Sequence, residues 1–134
     1  MKNLLTLNYG KLFEEDLLTE IAQCAILKSV NKGEVLIEIG SHIKNMPLLV
    51  SGAIKILRVD KEGNELILYF LQKGDTCALS MTGCIGQSLS EIKAIAEVDK
   101  ELILVPVQKM EDWLKYKTWR DFVFEGYNSR LYEM

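Results

Sequence analysis

Hydrophobic positions change period twice along this chain. Over residues 12–27, "LFEEDLLTEIAQCAIL", the apolar residues Leu17, Leu18, Ile21, Cys24 and Ala25 recur at intervals of three and four. That spacing predicts an amphipathic helix. Glu14, Glu15 and Asp16 fall in its first turn, where the helix dipole favours negative charge. From residue 28 onward the pattern shortens to runs rich in Val, Ile and Leu. Glycines punctuate them at 33, 40, 52, 63 and 74, most of them about eleven residues apart. Short strands with turn signals at that interval predict an antiparallel sandwich or jelly roll. "DKEGNE" at 60–65 is the clearest hairpin turn, "VSGAI" at 50–54 marks another, and Pro47 suits a strand start or an edge strand. The runs "EIKAIAEV" and "ELILVPV" continue the strand pattern. Beyond Val107 the helical period returns, with Met110, Trp113 and Leu114, then a break near residues 115–117, then Trp119, Phe122, Val123, Tyr127 and Leu131. The expected organisation is an N-terminal helical segment (1–27), a jelly roll (28–107) and C-terminal helices (108–134).

One stretch interrupts the strands. Residues 74–91, "GDTCALSMTGCIGQSLSE", hold small residues throughout, three glycines and two of the three cysteines. They are expected to form a loop and a short helix. A helix N-terminus near residues 77–80 would offer backbone N–H groups to an anion. Strand alternation after the loop places Ser90, Ile92, Ala94 and Ala96 on one face, and Glu91, Lys93 and Glu97 on the other. If the first set faces inward, Lys93 points to solvent.

Composition narrows the function classes. The 134 residues fit one domain, and 49% apolar residues are enough for a real core. A net charge of −3 argues against a broad basic nucleic-acid surface. Charges enter too early for a signal peptide, and no run approaches the roughly 18 apolar residues of a membrane span. A soluble cytoplasmic protein with no membrane partner is the expectation. Cys24, Cys77 and Cys84 are odd in number and scattered, so each reads as a small buried hydrophobe in a reducing compartment. A jelly roll with several histidines would suggest a metalloenzyme. This chain has one, His42, in the turn "GSHIKN". No metal site, cofactor or enzymatic activity is expected.

The run "KGEVLIEIGSHIKNMPLLVSGAIKILRVDKEGNELILYFLQKGD" resembles the core of the cyclic-nucleotide-binding domain of the Crp/Fnr transcription regulators. Gly40, Gly52, Gly63 and Gly74 stand at that family's turn spacing, "EGNE" matches its hairpin, and "GD" closes the strand as it does there. "AEVDKELILVPV" is similar to the family's last strand pair. The resemblance implies a mainly β fold, a double-stranded β-helix jelly roll with an N-terminal helix and C-terminal helices. It also implies a sensory role for a small-molecule effector, and a homodimer through the C-terminal helices. In the family, DNA is bound by a helix-turn-helix domain that follows a long dimerisation helix. No such domain falls within these residues, so this chain alone is not expected to bind DNA.

The same resemblance places the phosphate cassette in residues 74–91. The family's Gly-Glu pair, whose carboxylate bonds the ribose, falls on Ala78 and Leu79. Its Arg-Ser or Arg-Thr pair, which holds the cyclic phosphate, falls on Ser90 and Glu91, and the segment is one residue longer. Losing the arginine removes a charge-assisted bond of roughly 1.5–3 kcal/mol, on the order of tenfold to a hundredfold in affinity. The expected cassette is therefore degenerate, with Cys77, Ala78, Leu79, Ser80, Ser90, Glu91 and Ile92 as candidate effector-pocket residues. An apolar pocket on Leu79, Ile92, Ala94 and Ala96, or a core that these side chains simply fill, are both open. So are a cyclic-nucleotide site of non-standard design and a haem or redox sensor using His42, Met46 or a cysteine.

Overall fold

A computed structural model describes residues 1–75 and 92–133, with side chains to residue 125. The chain opens on two helices, α1 (Lys2–Tyr9) and α2 (Glu15–Cys24). The first lies within the helical segment expected over residues 1–27, ahead of the stretch whose periodicity marked a helix. It is short, and its buried face consists of Leu5 and Tyr9, one helical repeat apart, while Leu7 is exposed. The second begins and ends inside the expected 12–27 helix. It buries Leu17, Leu18 and Ile21 as the periodicity requires. Its end is a correction to the sequence reading, because Ile26 and Leu27 already belong to a strand, where they pair with Leu104 and Ile103.

Among the described residues seven strands follow: β1 (Ile26–Val30), β2 (Val35–Ile37), β3 (Asn45–Leu49), β4 (Ile54–Val59), β5 (Glu65–Leu71), β6 (Lys93–Ala96) and β7 (Lys100–Pro106). They form two antiparallel sheets, in the orders β1-β7-β3 and β2-β6-β4-β5. The late strands β6 and β7 each insert between earlier ones, the crossing expected of a jelly roll. Pro47 lies in β3, an edge strand, where its missing N–H costs no ladder bond. The β4–β5 turn is held by Asp60. Its carboxylate accepts the backbone N–H groups of Glu62 and Asn64, both at 2.9 Å, and those bonds hold its pKa below the usual carboxylate range.

Alternation sorts the side chains into two cores. Between the sheets lie Val30, Ile37, Leu49, Ile54, Ile56, Tyr69, Leu71, Ile92, Ala94, Ala96 and Leu102. The opposite face of the three-stranded sheet presents Met46, Leu48, Ile103 and Val105 to the helices. The C-terminal part comprises α3 (Val107–Met110), a 3-10 turn (Asp112–Lys115) and α4 (Lys117–Glu133), with the break at Tyr116 as the sequence suggested. Trp113, Trp119, Phe122 and Val123 pack with Leu5, Tyr9, Phe13 and α2 over the outer core. Among the described residues no helix is long and apolar enough to cross a membrane.

All five glycines that marked turns have positive φ. At Gly52, φ is +76° and an added Cβ would stand 2.6 Å from Val98 Cγ2, whereas Gly63, at +86°, faces open space. Both positions carry the left-handed backbone cost, roughly 1–2 kcal/mol for a residue with a side chain, and only Gly52 adds a clash. Gly52→Ala is expected to destabilise the chain by roughly 1–3 kcal/mol more than Gly63→Ala. Urea midpoints at equal slope measure the difference, and equal midpoints would contradict the Val98 contact.

Candidate functional site

Of the seven candidate pocket residues, Cys77, Ala78, Leu79, Ser80, Ser90 and Glu91 lie outside the described residues, as do Cys84 and the expected short helix. Ile92 is described and is buried in the inner core. Ala94 and Ala96 join it there, and their neighbours Lys93 and Glu97 face outward in ion pairs with Glu65 and Lys55, each at 3.7 Å. The alternation read from the sequence thus holds from Ile92 onward. Lys93 is committed to the outer surface and supplies no cation to the interior. Among the described residues no Asp, Glu, Lys, Arg or His is buried, so the roll's interior there is apolar apart from the Tyr69 phenol. Cys24 is half-buried against the outer core, its thiol pushed up by burial, and the small-hydrophobe reading fits it. His42 is exposed in the β2–β3 loop. Among the described residues no group of three or more His, Cys, Asp or Glu side chains could hold a metal ion.

The entry to residues 76–91 is tightly built. Gly74 takes φ +87°, and Asp75 bonds back to Gln72 twice. Its N–H donates to the Gln72 carbonyl at 3.0 Å, and its carboxylate accepts the Gln72 N–H at 2.9 Å. On this turn sits Tyr9 of α1, fully buried. Its phenol donates to the Leu49 carbonyl at 2.7 Å and accepts the Gly74 N–H at 3.4 Å. One side chain therefore ties the first helix to the three-stranded sheet and to the turn that precedes residue 76. Burial pushes its pKa up to about 12, since a phenolate there would lose water.

From Tyr9 an aromatic path runs to the last helix. The Tyr9 ring stacks on Phe13 at 5.4 Å, nearly parallel. Phe13 meets Trp119 at 5.7 Å and the edge of Phe122 at 5.1 Å. Trp119 meets Trp113 edge-on at 5.2 Å and donates its indole N–H to the Met110 carbonyl at 3.1 Å. Polar contacts brace the same joint. The Thr118 hydroxyl accepts the Glu14 N–H at 3.1 Å, and Glu20 takes the Tyr116 phenol and the Lys115 ammonium. The Glu20 carboxylate raises the Tyr116 pKa to about 12, and that phenol lowers the pKa of Glu20. Sequence reading placed these aromatic residues of the tail and did not single out Tyr9. A four-residue spacing to Leu5 was its only signal, and that spacing predicts burial without naming a partner.

With this geometry in place, comparison with known proteins is direct. The family model described as "Cyclic nucleotide-binding domain" matches residues 27–117, more than half of the chain, and the chain belongs to that family. The sensor domain of the transcriptional regulator DNR from Pseudomonas aeruginosa is 21% identical, with a TM-score of 0.75, over 98% of this chain and 89% of that one. A protein described as a transcriptional regulator of the Crp/Fnr family, from Eubacterium rectale, is 21% identical, with a TM-score of 0.78, over 93% of this chain and 58% of that one. The c-di-GMP responsive global regulator CLP of Xanthomonas campestris is 12% identical, with a TM-score of 0.72, over 90% and 60%. These likenesses show a shared fold, and the resemblance to Crp/Fnr sensory domains read from the sequence is borne out. The chain spans 59% of the length of DNR. No curated protein matches the sequence.

Tyr9 gives the site a measurable pH signature. The unfolded phenol releases its proton near pH 10 and the folded one near 12. Between those values the unfolded chain binds fewer protons, so stability that is fully present below pH 10 falls as pH rises. The loss from this one group is on the order of 2–3 kcal/mol by pH 12. Measured in a Tyr116→Phe background, to remove the raised Tyr116 phenol, Tyr9→Phe is expected to flatten that decline. At pH 7 it is expected to cost about 1–2 kcal/mol, because the Leu49 carbonyl loses its donor. An unchanged alkaline slope would contradict the buried bond.

Proposed function

We propose that this chain is the effector-sensing domain of a Crp/Fnr-like transcription regulator. In this reading residues 76–91 form the effector loop, and the loop's state is passed to α4 through the joint at Tyr9. The observation that carries it is the contact path Gly74–Tyr9–Phe13–Trp119, which joins the turn before the loop to the last helix. An effector that prefers one loop arrangement shifts the population of the whole assembly toward it. The role is regulatory and not catalytic. DNA recognition belongs to a helix-turn-helix domain outside these residues.

The cassette is degenerate in this reading. In sequence Leu79 falls at the position of the family's ribose-binding carboxylate, and Ser90 at that of its phosphate-binding arginine. Lys93, the nearest cation after the cassette, is turned outward toward Glu65. CLP, named for c-di-GMP response, indicates that this fold accommodates effectors other than cyclic AMP. Calorimetric titration with cyclic AMP and cyclic GMP is expected to show no binding at micromolar concentration. Micromolar binding of either, abolished by Ser90→Trp, would contradict the proposal.

Dimerisation through the C-terminal helices is part of the same reading. Trp113, Trp119 and Phe122 are consumed by the chain's own outer core, and among the described residues of α4 Phe124, 63% exposed, is a large apolar group open to a second copy. Phe124→Asp is expected to shift sedimentation equilibrium toward monomer by tenfold or more, about 1.4 kcal/mol, without loss of helicity. A dimer equally strong in the variant would place the interface elsewhere.

A further inference from the structure

A cleft opens between the two sheets, and its described lining does not include Ile92. Its volume is about 260 Å³. Its walls come from both sheets: Leu36 and Ile37 of β2, Pro47 of β3, Leu104 of β7, and Ile43 from the β2–β3 loop. Ile37 belongs to the inner core, and Leu36, Ile43 and Leu104 pack against it, so the cleft is an open mouth of the roll's interior. Register agrees. Lys28 pairs with Leu102 and Pro47 with Leu104, on the inner side of the three-stranded sheet.

The rim has the opposite character. Lys28, His42 and Lys44 stand around the mouth with Ser41 and Asn45, on a chain whose net charge is −3. Lys28 is paired with Glu34 at 3.1 Å. The side chains of His42 and Lys44 make no ion pair among the described residues. The loop that carries them is held in place. Ser41 donates to the Glu38 carbonyl through its hydroxyl at 2.6 Å and through its N–H at 3.2 Å, and the Lys44 carbonyl accepts the Val107 N–H at 3.0 Å. The Lys44 ammonium and the His42 imidazole are therefore carried on an anchored backbone beside an apolar slot.

We propose that this mouth binds a short aliphatic carboxylate, its tail among Leu36, Ile43, Pro47 and Leu104 and its head at Lys44 and His42. Volume sets the size. The cleft lies just below the roughly 300 Å³ at which drug-sized sites begin. At about 30 Å³ per water-sized group in a liquid it admits about nine such groups. A nucleotide is too large for it. A bare inorganic anion would leave the walls in water, and a neutral hydrocarbon would leave the Lys44 ammonium unused. The proposal uses only the described lining, residues 28–47 and Leu104, so it stands whether or not the reading of the cassette does.

Titration of the ¹⁵N-labelled 134-residue chain with hexanoate tests this, with hexanol, hexylammonium and acetate as the other arms. Hexanoate is expected to shift the amides of Lys28, Ser41 to Asn45 and Leu104 saturably, and to bind about tenfold more tightly than hexanol. Lys44→Glu, a change at an exposed position, is expected to weaken hexanoate three- to tenfold and leave hexanol unchanged. Ile43→Trp is expected to remove both by filling the slot. Equal affinity for hexanoate and hexanol, equal affinity for acetate, shifts confined to other residues, or an unaffected Lys44→Glu would each overturn the proposal. Binding of cyclic AMP with shifts away from this mouth would overturn the cassette reading and leave this one intact.

Discussion

The architecture depends on two adjacent strands, β7 and β3, that are buried on both faces. Along β7, Leu102 and Leu104 point into the roll while Ile103 and Val105 point into the helical layer. β3 does the same with Leu49 on one side and Met46 and Leu48 on the other. A sheet solvated on one face can shift without disturbing its helices, but a sheet packed on both cannot. The roll and the helices therefore share a wall, and a change in one core is felt in the other. This arrangement allows a ligand inside a jelly roll to influence a helix outside it.

Tyr9 sits at the one place where the wall, the first helix and the turn at Gly74 meet. Its ring is part of the outer core, and its hydroxyl reaches the backbone on both sides of the junction. A phenylalanine would satisfy the packing alone, and the phenol adds two polar contacts that a sensor can use. Beyond it, Phe13, Trp119, Trp113 and Phe122 are mutually tilted or edge-on, a geometry favoured by the ring quadrupole and well suited to rigid contact. A spatial path is not by itself coupling. The physical requirement is that these contacts have two arrangements with different affinities for the effector.

Much of this fold was legible in the sequence because period and turn chemistry are local. The glycine spacing located turns that require positive φ. The alternation after residue 91 placed Ile92, Ala94 and Ala96 inward and Lys93 outward. The break before Lys117 stood out in the tail. Local signals failed where a long-range contact decides the outcome. Ile26 and Leu27 could extend the α2 pattern, and pairing with β7 takes them into a strand instead. α1 is too short for periodicity to declare it, and the outer core holds it through Leu5 and Tyr9. The mouth around Lys44 and His42 is invisible in sequence, since its walls come from residues as distant as Lys28 and Leu104. Of the candidate cassette residues, Ile92 lies among the described ones, and its burial in the inner core follows from the strand alternation.

The central claim is that the turn entering residues 76–91 and the last helix move together through Tyr9. Relaxation dispersion on the Gly74 amide and the Trp119 indole N–H tests it directly, since exchange on the microsecond-to-millisecond scale is visible there. The account predicts one common exchange rate for the two probes, and two different rates after Tyr9→Phe. Independent rates in the unmodified chain, or a common rate that survives the substitution, would contradict it.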